Sequence, residues 1–194
     1  MKTPFPEVEL LLEKYETEPE HVLHVASLTL QLFDLLSFWH QLSSRDRELL
    51  QAAALLHDIG WSQTPDGRGH HKETLRLIDQ FSWTSVTPEE KDLISQCARY
   101  HRKSIPKPEH DRFLKLPTSE KFRLEKLAAF LRIGDALDRT HRQIIHQIEV
   151  KFFENEWRFL LSSPTSVDAE IKMAETKGDL LQKASGRQLL FERK

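Results

Sequence analysis

The chain has 194 residues, a net charge of −2 and 30% charged residues, so its overall field favours neither nucleic acid nor an anionic membrane. This length suffices for one sizeable hydrophobic core with a small appended subdomain. The single Cys97 excludes an internal disulfide. With no apolar signal core and no run of about 20 apolar residues, the sequence predicts a cytoplasmic protein.

Helical patterns fill the first part of the chain. Apolar residues at helical spacing between Glu20 and Trp39 predict a long amphipathic helix. A second helix starts at "SSRDREL", with Ser44 as the expected N-cap, and runs into "LLQAAALLHDIGW". The turn-forming "WSQTPDGRG" precedes a helix near His71–Gln80, and "TPEEKDLISQCARYH" begins another with a cap, a proline and acids.

The pattern changes towards the carboxy terminus. The loop "RKSIPKPEHDRFLKLPTSE" leads into a strongly apolar helix over about Glu120–Arg142. Period-two alternation in "QIEVKFF" and "WRFLLSS" then predicts a hairpin, followed by a helix of roughly Val167–Lys183 and a short strand in "RQLLFER". The expected fold is mostly α, with a helical body over residues 1–143 and a small α+β subdomain over 144–194 packed on it.

The end of the second helix is chemically unusual, because His57 and Asp58 stand side by side shortly before Gly60. We expect Gly60 to end this helix with a positive φ. An acid in the last turn faces the negative end of the helix dipole, which costs about 0.3–1 kcal/mol, and burying it unpaired would cost more. A cation should therefore lie against Asp58.

Other candidate ligands have simpler explanations when each is taken alone. His21 lies on or beside the apolar face of the first helix, where a lone histidine is usually just hydrogen-bonded. Asp135 follows Gly134, and a glycine weakens a helix by about 1 kcal/mol relative to alanine. An ion pair between Asp135 and Arg139, one turn later, would explain the presence of Asp135 as well as a functional role would.

Three further histidines lie at helix ends. His70 and His71 open a helix, where a neutral ligating imidazole fits better than a charged one. His101 ends a helix, where a charged imidazole would simply stabilise the dipole. Imidazole and carboxylate groups together suit Mn, Fe, Zn or Mg, and a single cysteine is too few for a thiolate zinc site.

The order His21, His57-Asp58, Asp135 resembles the HD superfamily of metal-dependent phosphohydrolases, in the order H…HD…D. The stretches "AAALLHDIG", "GHHKETLRLI", "ARYHRKSIPKPEH" and "LAAFLRIGDALDRTH" are similar to the carboxy-terminal HD domain of the exopolyphosphatase / guanosine-pentaphosphate phosphohydrolase (Ppx/GppA) family. The similarity continues through "KGDLLQKASGRQLLFE" and starts near residue 15. It implies an HD helical bundle standing alone, without that family's actin-like phosphatase half.

The resemblance implies a set of metal ligands and catalytic residues. A first divalent ion would be bound by His21, His57, Asp58 and Asp135. Asp58 would bridge to a second ion, if one binds, with His70 and His101 as its further ligands. Adjacent helical side chains point about 100° apart, so we expect only one of His70 and His71 to ligate. His70 is preferred because it places Thr74 where relatives carry a small residue one turn later. Catalysis would use water activated by the metal, with Asp58, His101 and Lys72 as catalytic candidates.

Basic residues cluster in sequence around His101 and on the later helix. Each alone is more often a solvated surface charge, but together they predict contacts to substrate phosphates. They are Arg99, Arg102, Lys103, Lys107, Arg139 and Arg142.

Two functions stay open. One is a phosphohydrolase acting on a phosphate ester, nucleotide or polyphosphate. The other is a non-catalytic polyphosphate- or nucleotide-binding module that partners a separate actin-like phosphatase; a homodimer is also possible.

Overall fold

The computed structural model describes residues 2–194, which form ten α-helices, one 3₁₀ helix and one three-stranded sheet. The predicted mostly helical fold with a small α+β tail is confirmed. The helices are α1 (Pro6–Tyr15), α2 (Pro19–Leu35), α3 (Ser37–His40), α4 (Ser44–Leu56), α5 (His70–Gln80), α6 (Pro88–Arg99), α7 (Asp111–Leu114), α8 (Thr118–Ala136), α9 (Asp168–Lys177) and α10 (Asp179–Ser185). The 3₁₀ helix is Ile59–Gln63, and the strands are β1 (Gln147–Phe152), β2 (Glu156–Ser162) and β3 (Gln188–Arg193).

The helical body surrounds one apolar core. Helix α2 packs against α4 and α8, and α6 packs against both α4 and α8. Leu28, Leu50 and Phe130 are fully buried between them. No helix within residues 2–194 is long and apolar enough to cross a membrane. Because these helices share one core, their ends can bring side chains to one common site.

The tail forms a sheet of order β1-β2-β3. Strands β1 and β2 make the predicted antiparallel hairpin, and β3 pairs parallel to β2. Along β2, Trp157, Phe159 and Leu161 alternate as buried residues, and they belong to the same hydrophobic cluster as the helical body. Both α9 and α10 lie against α8. The boundary between the two parts near residue 143 stays a prediction.

Two predicted helix extents are wrong. The helix predicted over Glu120–Arg142 ends at Ala136, because the Asp138 carboxylate accepts the Gln143 N–H at 2.8 Å and stabilises a turn there. The helix predicted over Val167–Lys183 is two helices that meet at Gly178. A Cβ at Gly178 would lie 3.1 Å from the Leu189 side chain, so this junction is where β3 approaches.

Two further details near the helix starts and ends differ from expectation. The N-cap of α4 is Ser43 and not Ser44, because Ser43 and Asp46 form a reciprocal capping box. The apolar pattern from Glu20 to Trp39 covers α2 and the separate short α3, so the single long helix is also wrong.

Glycine is needed at two positions because neighbouring segments pack closely against the backbone there, and not because the backbone has unusual dihedral angles. Gly60 does not have the positive φ expected of it. It lies in the 3₁₀ helix, where a Cβ would be 2.2 Å from the His70 carbonyl oxygen. In α8, a Cβ at Gly134 would lie 2.1 Å from the Thr29 hydroxyl of α2. Both close approaches adjoin the cluster of histidines and acids described below.

We expect Gly134→Ala to destabilise the fold by about 1–3 kcal/mol, because the overpacking cost exceeds the gain of about 1 kcal/mol in helix propensity. Thr29→Ala should restore much of this loss in the double variant, since it removes the hydroxyl that the new methyl group meets. Denaturant unfolding of wild type, both single variants and the double variant measures the coupling. A Gly134→Ala protein as stable as wild type would contradict the close approach.

Candidate metal and phosphate site

Six side chains predicted as metal ligands converge at one end of the helical body. They are His21 of α2, His57 and Asp58 after α4, His70 at the start of α5, His101 after α6, and Asp135 of α8. The four histidines are at most 2% exposed. Ligand atoms group into two sets, His21-His57-Asp135 and Asp58-His70-His101, within each of which they lie within 4.8 Å of one another.

Asp58 lies between the two sets. Its Oδ1 is 3.4 Å from Nε2 of His70 and 3.4 Å from Nε2 of His101. Its Oδ2 is 3.5 Å from Nε2 of His57 and 3.8 Å from Nε2 of His21. Each carboxylate oxygen therefore faces a different pair of imidazoles.

Two helix ends orient two of these imidazoles. The His57 Nδ1–H donates to the Ala54 carbonyl at 2.7 Å, and the His101 Nδ1–H donates to the Ala98 carbonyl at 2.6 Å. Carbonyls in a last helical turn lack intrahelical donors, so they are available for this contact. With Nδ1 protonated, a neutral imidazole presents the Nε2 lone pair to the site.

The other two imidazoles have equivalent partners. The His70 Nδ1–H donates to the Gly67 carbonyl at 3.0 Å. His21 Nδ1 donates to Oδ2 of the buried Asp138 at 2.8 Å. Asp138 was not predicted from the sequence as a site residue. A carboxylate behind a histidine fixes its tautomer and makes Nε2 a stronger ligand.

Three of the atoms that face one another in the site are therefore hydrogen-bond acceptors with no donor. Nε2 of His21, Nε2 of His57 and Oδ1 of Asp58 are buried without a hydrogen-bond partner within residues 2–194. Two ligands about 2.1 Å from a common ion lie about 3.0–3.4 Å apart, depending on the angle between them. The Asp58–imidazole separations of 3.4–3.8 Å approach that spacing. The residues present thus fit a divalent cation with nitrogen and oxygen ligands.

The electrostatics keep Asp58, Asp135 and His101 in the forms that bind metal. Burial would raise the pKa of Asp58, but His57 and His101 outweigh it and the net shift is downward. Burial would likewise raise the pKa of Asp135, and Lys177 leads the groups that lower it below its usual range. Burial lowers the pKa of His101 to about 3. At neutral pH both acids are ionised and His101 is neutral.

Three further residues at this site had not been predicted from the sequence. Lys177 of α9 forms an ion pair with Asp135, so the expected Asp135–Arg139 pair is not formed. The Trp61 ring stacks on His70 with centroids 4.5 Å apart, and the His141 ring stacks on His21 at 3.7 Å. The Trp61 and His141 rings therefore pack on two of the candidate ligand imidazoles without belonging to either ligand set.

A cavity of about 150 Å³ opens beside Asp58. Of the predicted phosphate-binding residues, Arg102 and Arg139 line it, together with Lys177. The remaining predicted cations, which are exposed or half-buried, do not line this cavity: Lys72, Arg99, Lys103, Lys107 and Arg142.

Lys72 and Arg99 line a different depression. Lys72 lies two residues after His70 and so points about 200° away from it around α5. His71 is buried outside both ligand sets, and burial lowers its pKa to about 4. The structure therefore brings His70 and not His71 to Asp58.

The fold and this cluster define a helical domain with a candidate divalent-metal site beside a basic cavity. Residues 6–184 match the sequence model of the family described as Ppx/GppA phosphatase, domain III. The chain therefore belongs to the Ppx/GppA phosphatase family, as its resemblance indicated. The search of curated proteins gave no match.

We expect Asp138→Asn to weaken divalent-metal binding by about 10–100-fold, because His21 loses the carboxylate that orients it and raises its basicity. Calorimetric titration with Mn²⁺ measures the affinity. Asp34→Asn is the matched control, since Asp34 pairs with Arg47 on the exposed face of α2. Equal Mn²⁺ affinities for Asp138→Asn and wild type would exclude this role for Asp138.

Proposed function

We propose that the chain is a metal-dependent phosphohydrolase of the HD type, acting on a phosphate ester, nucleotide or polyphosphate. The observation that carries this proposal is the convergence of four imidazole Nε2 atoms on the carboxylates of Asp58 and Asp135, where Nε2 of His21, Nε2 of His57 and Oδ1 of Asp58 have no donor within residues 2–194. The basic cavity beside Asp58 supports a phosphate-bearing substrate. Membership of a phosphatase family supports the reaction class.

The proposed metal ligands follow the two sets in the structure. A first ion would be held by His21, His57, Asp58 and Asp135, and a second by Asp58, His70 and His101. A divalent ion in such a site polarises a phosphoryl oxygen and lowers the pKa of a coordinated water. The identity of the metal, among Mn, Fe, Mg and Zn, is left to the experiment below.

The chain's own groups would orient the substrate. Arg102 and Arg139 line the cavity and are free of carboxylate partners within residues 2–194. A guanidinium group can donate two parallel hydrogen bonds to phosphate oxygens. Such contacts would hold the phosphoryl group in the orientation that attack by water requires. His101 and Asp58, which would hold the second ion, are the proposed catalytic residues; Lys72 lies outside the cavity and has no part in this proposal.

A phosphate-release screen over nucleotides, phosphomonoesters and polyphosphate, each with Mn²⁺, Fe²⁺, Mg²⁺ and Zn²⁺, tests the activity. On any substrate found, we expect Asp58→Asn to lower kcat by about 100-fold or more, because it removes the carboxylate that both proposed ions would share. Arg102→Ala should mainly raise KM, because it removes binding that ground state and transition state share.

Asp34→Asn is again the matched control and should behave as wild type. Metal binding without phosphate release from any substrate would favour the alternative, a phosphate-binding module that acts with a separate phosphatase. Neither metal binding nor phosphate release in the wild type would contradict both functions.

A further inference from the structure

Lys177 connects the carboxy-terminal tail to the proposed metal centre. It is the last residue of α9, and its ammonium group binds Oδ2 of Asp135. The other oxygen of Asp135, Oδ1, lies 3.8 Å from Nε2 of both His21 and His57. One carboxylate therefore faces two imidazoles through one oxygen and the tail through the other.

The ammonium group of Lys177 has unused hydrogen-bonding capacity. An ammonium group carries three donors, and Asp135 is the one partner of Nζ within residues 2–194. The side chain is only 15% exposed, so water reaches these donors poorly. It lines the cavity beside Asp58 with its remaining donors available. A largely buried cation with spare donors is a binding group for an anion.

The backbone position of Lys177 is fixed by a second buried cation. Nε of Arg132, a residue 3% exposed, donates to the Lys177 carbonyl at 3.3 Å. The same guanidinium donates through Nη1 to the Tyr100 carbonyl at 3.2 Å and through Nη2 to Asp179 Oδ1 at 2.8 Å. Arg132 thus ties the end of α9 to the turn that precedes His101. Lys177 is held in place relative to the histidines before any ligand arrives.

Lys177 differs from the two arginines that share its cavity. Arg102 and Arg139 line the cavity but are exposed, whereas Lys177 is largely buried and ion-paired with a residue of the ligand set. A phosphate group with one oxygen near the ions would have Lys177 as a largely buried cation beside it. The arginines would then contact the outer oxygens.

We propose that Lys177 is a phosphate-contacting residue of this site, donating a hydrogen bond to a phosphoryl oxygen while it keeps Asp135 oriented. This inference rests on the proposed function, since it requires a phosphate group at the metal centre. It makes the tail a contributor to substrate binding as well as to the fold.

Calorimetric titration of the Mn²⁺-loaded protein with inorganic phosphate tests the proposal, with bound metal measured in the same samples. In the metal-loaded fraction of the protein, we expect Lys177→Met to weaken phosphate binding by about tenfold or more, as for loss of a hydrogen bond to a charged group. Lys177→Arg should stay within a few-fold of wild type, because the charge and donors remain. Lys183→Met is the control, since Lys183 pairs with Glu125 on the exposed surface.

The outcomes separate this inference from the proposed function. Wild type that binds phosphate, with Lys177→Met binding it equally well, would contradict the role of Lys177 alone. The role of Lys177 would also be contradicted if the Lys177→Met protein bound less metal but its metal-loaded fraction bound phosphate as tightly as wild type. Lys177 would then only orient Asp135. Wild type that binds Mn²⁺ but no phosphate would contradict the proposed function and this inference together.

Discussion

The Nδ1–H groups of four imidazole rings in this protein donate hydrogen bonds to protein oxygens, and the rest of the site depends on these four hydrogen bonds. Two helix-end carbonyls, one loop carbonyl and one buried carboxylate take these hydrogen bonds. The Nε2 lone pairs are then left facing the carboxylates of Asp58 and Asp135. Buried acceptors that face only acceptors are costly unless a cation or proton lies between them. This is the physical reason for proposing a metal centre here.

The fold serves this arrangement by bringing helix ends together. The close approach of α8 to α2 at Gly134 sets Asp135 opposite His21, and Gly60 lets the 3₁₀ helix after Asp58 touch the start of α5. The Thr74 hydroxyl strengthens this second approach by donating to the His57 carbonyl at 2.9 Å. Gly134, which looked like a helix weakness in the sequence, and Gly60, which looked like a helix end, are therefore the positions that allow ligands from separate helices to meet.

Much of the fold and the residues that cluster at the candidate site could be predicted from the sequence. Helical periodicity and the alternation after residue 147 gave the right architecture, and the misplaced acid Asp58 indicated that a cation was needed. Residues that act through tertiary contacts could not be predicted in this way. Lys177 lies 42 residues from Asp135 in a different structural layer, and nothing in its local sequence indicates the pairing. The basic residues near His101 cluster in sequence, but Arg99 lies at another depression of the surface, where Lys72 also lies.

Crystals grown with Mn²⁺ and measured near the manganese absorption edge test the central claim most directly. The account predicts anomalous density within about 2.0–2.3 Å of an Asp58 oxygen and of imidazole Nε2 atoms. A second peak between Asp58, His70 and His101 would establish the two-ion arrangement. Fully ordered side chains with no anomalous density among them, at saturating Mn²⁺, would contradict the account.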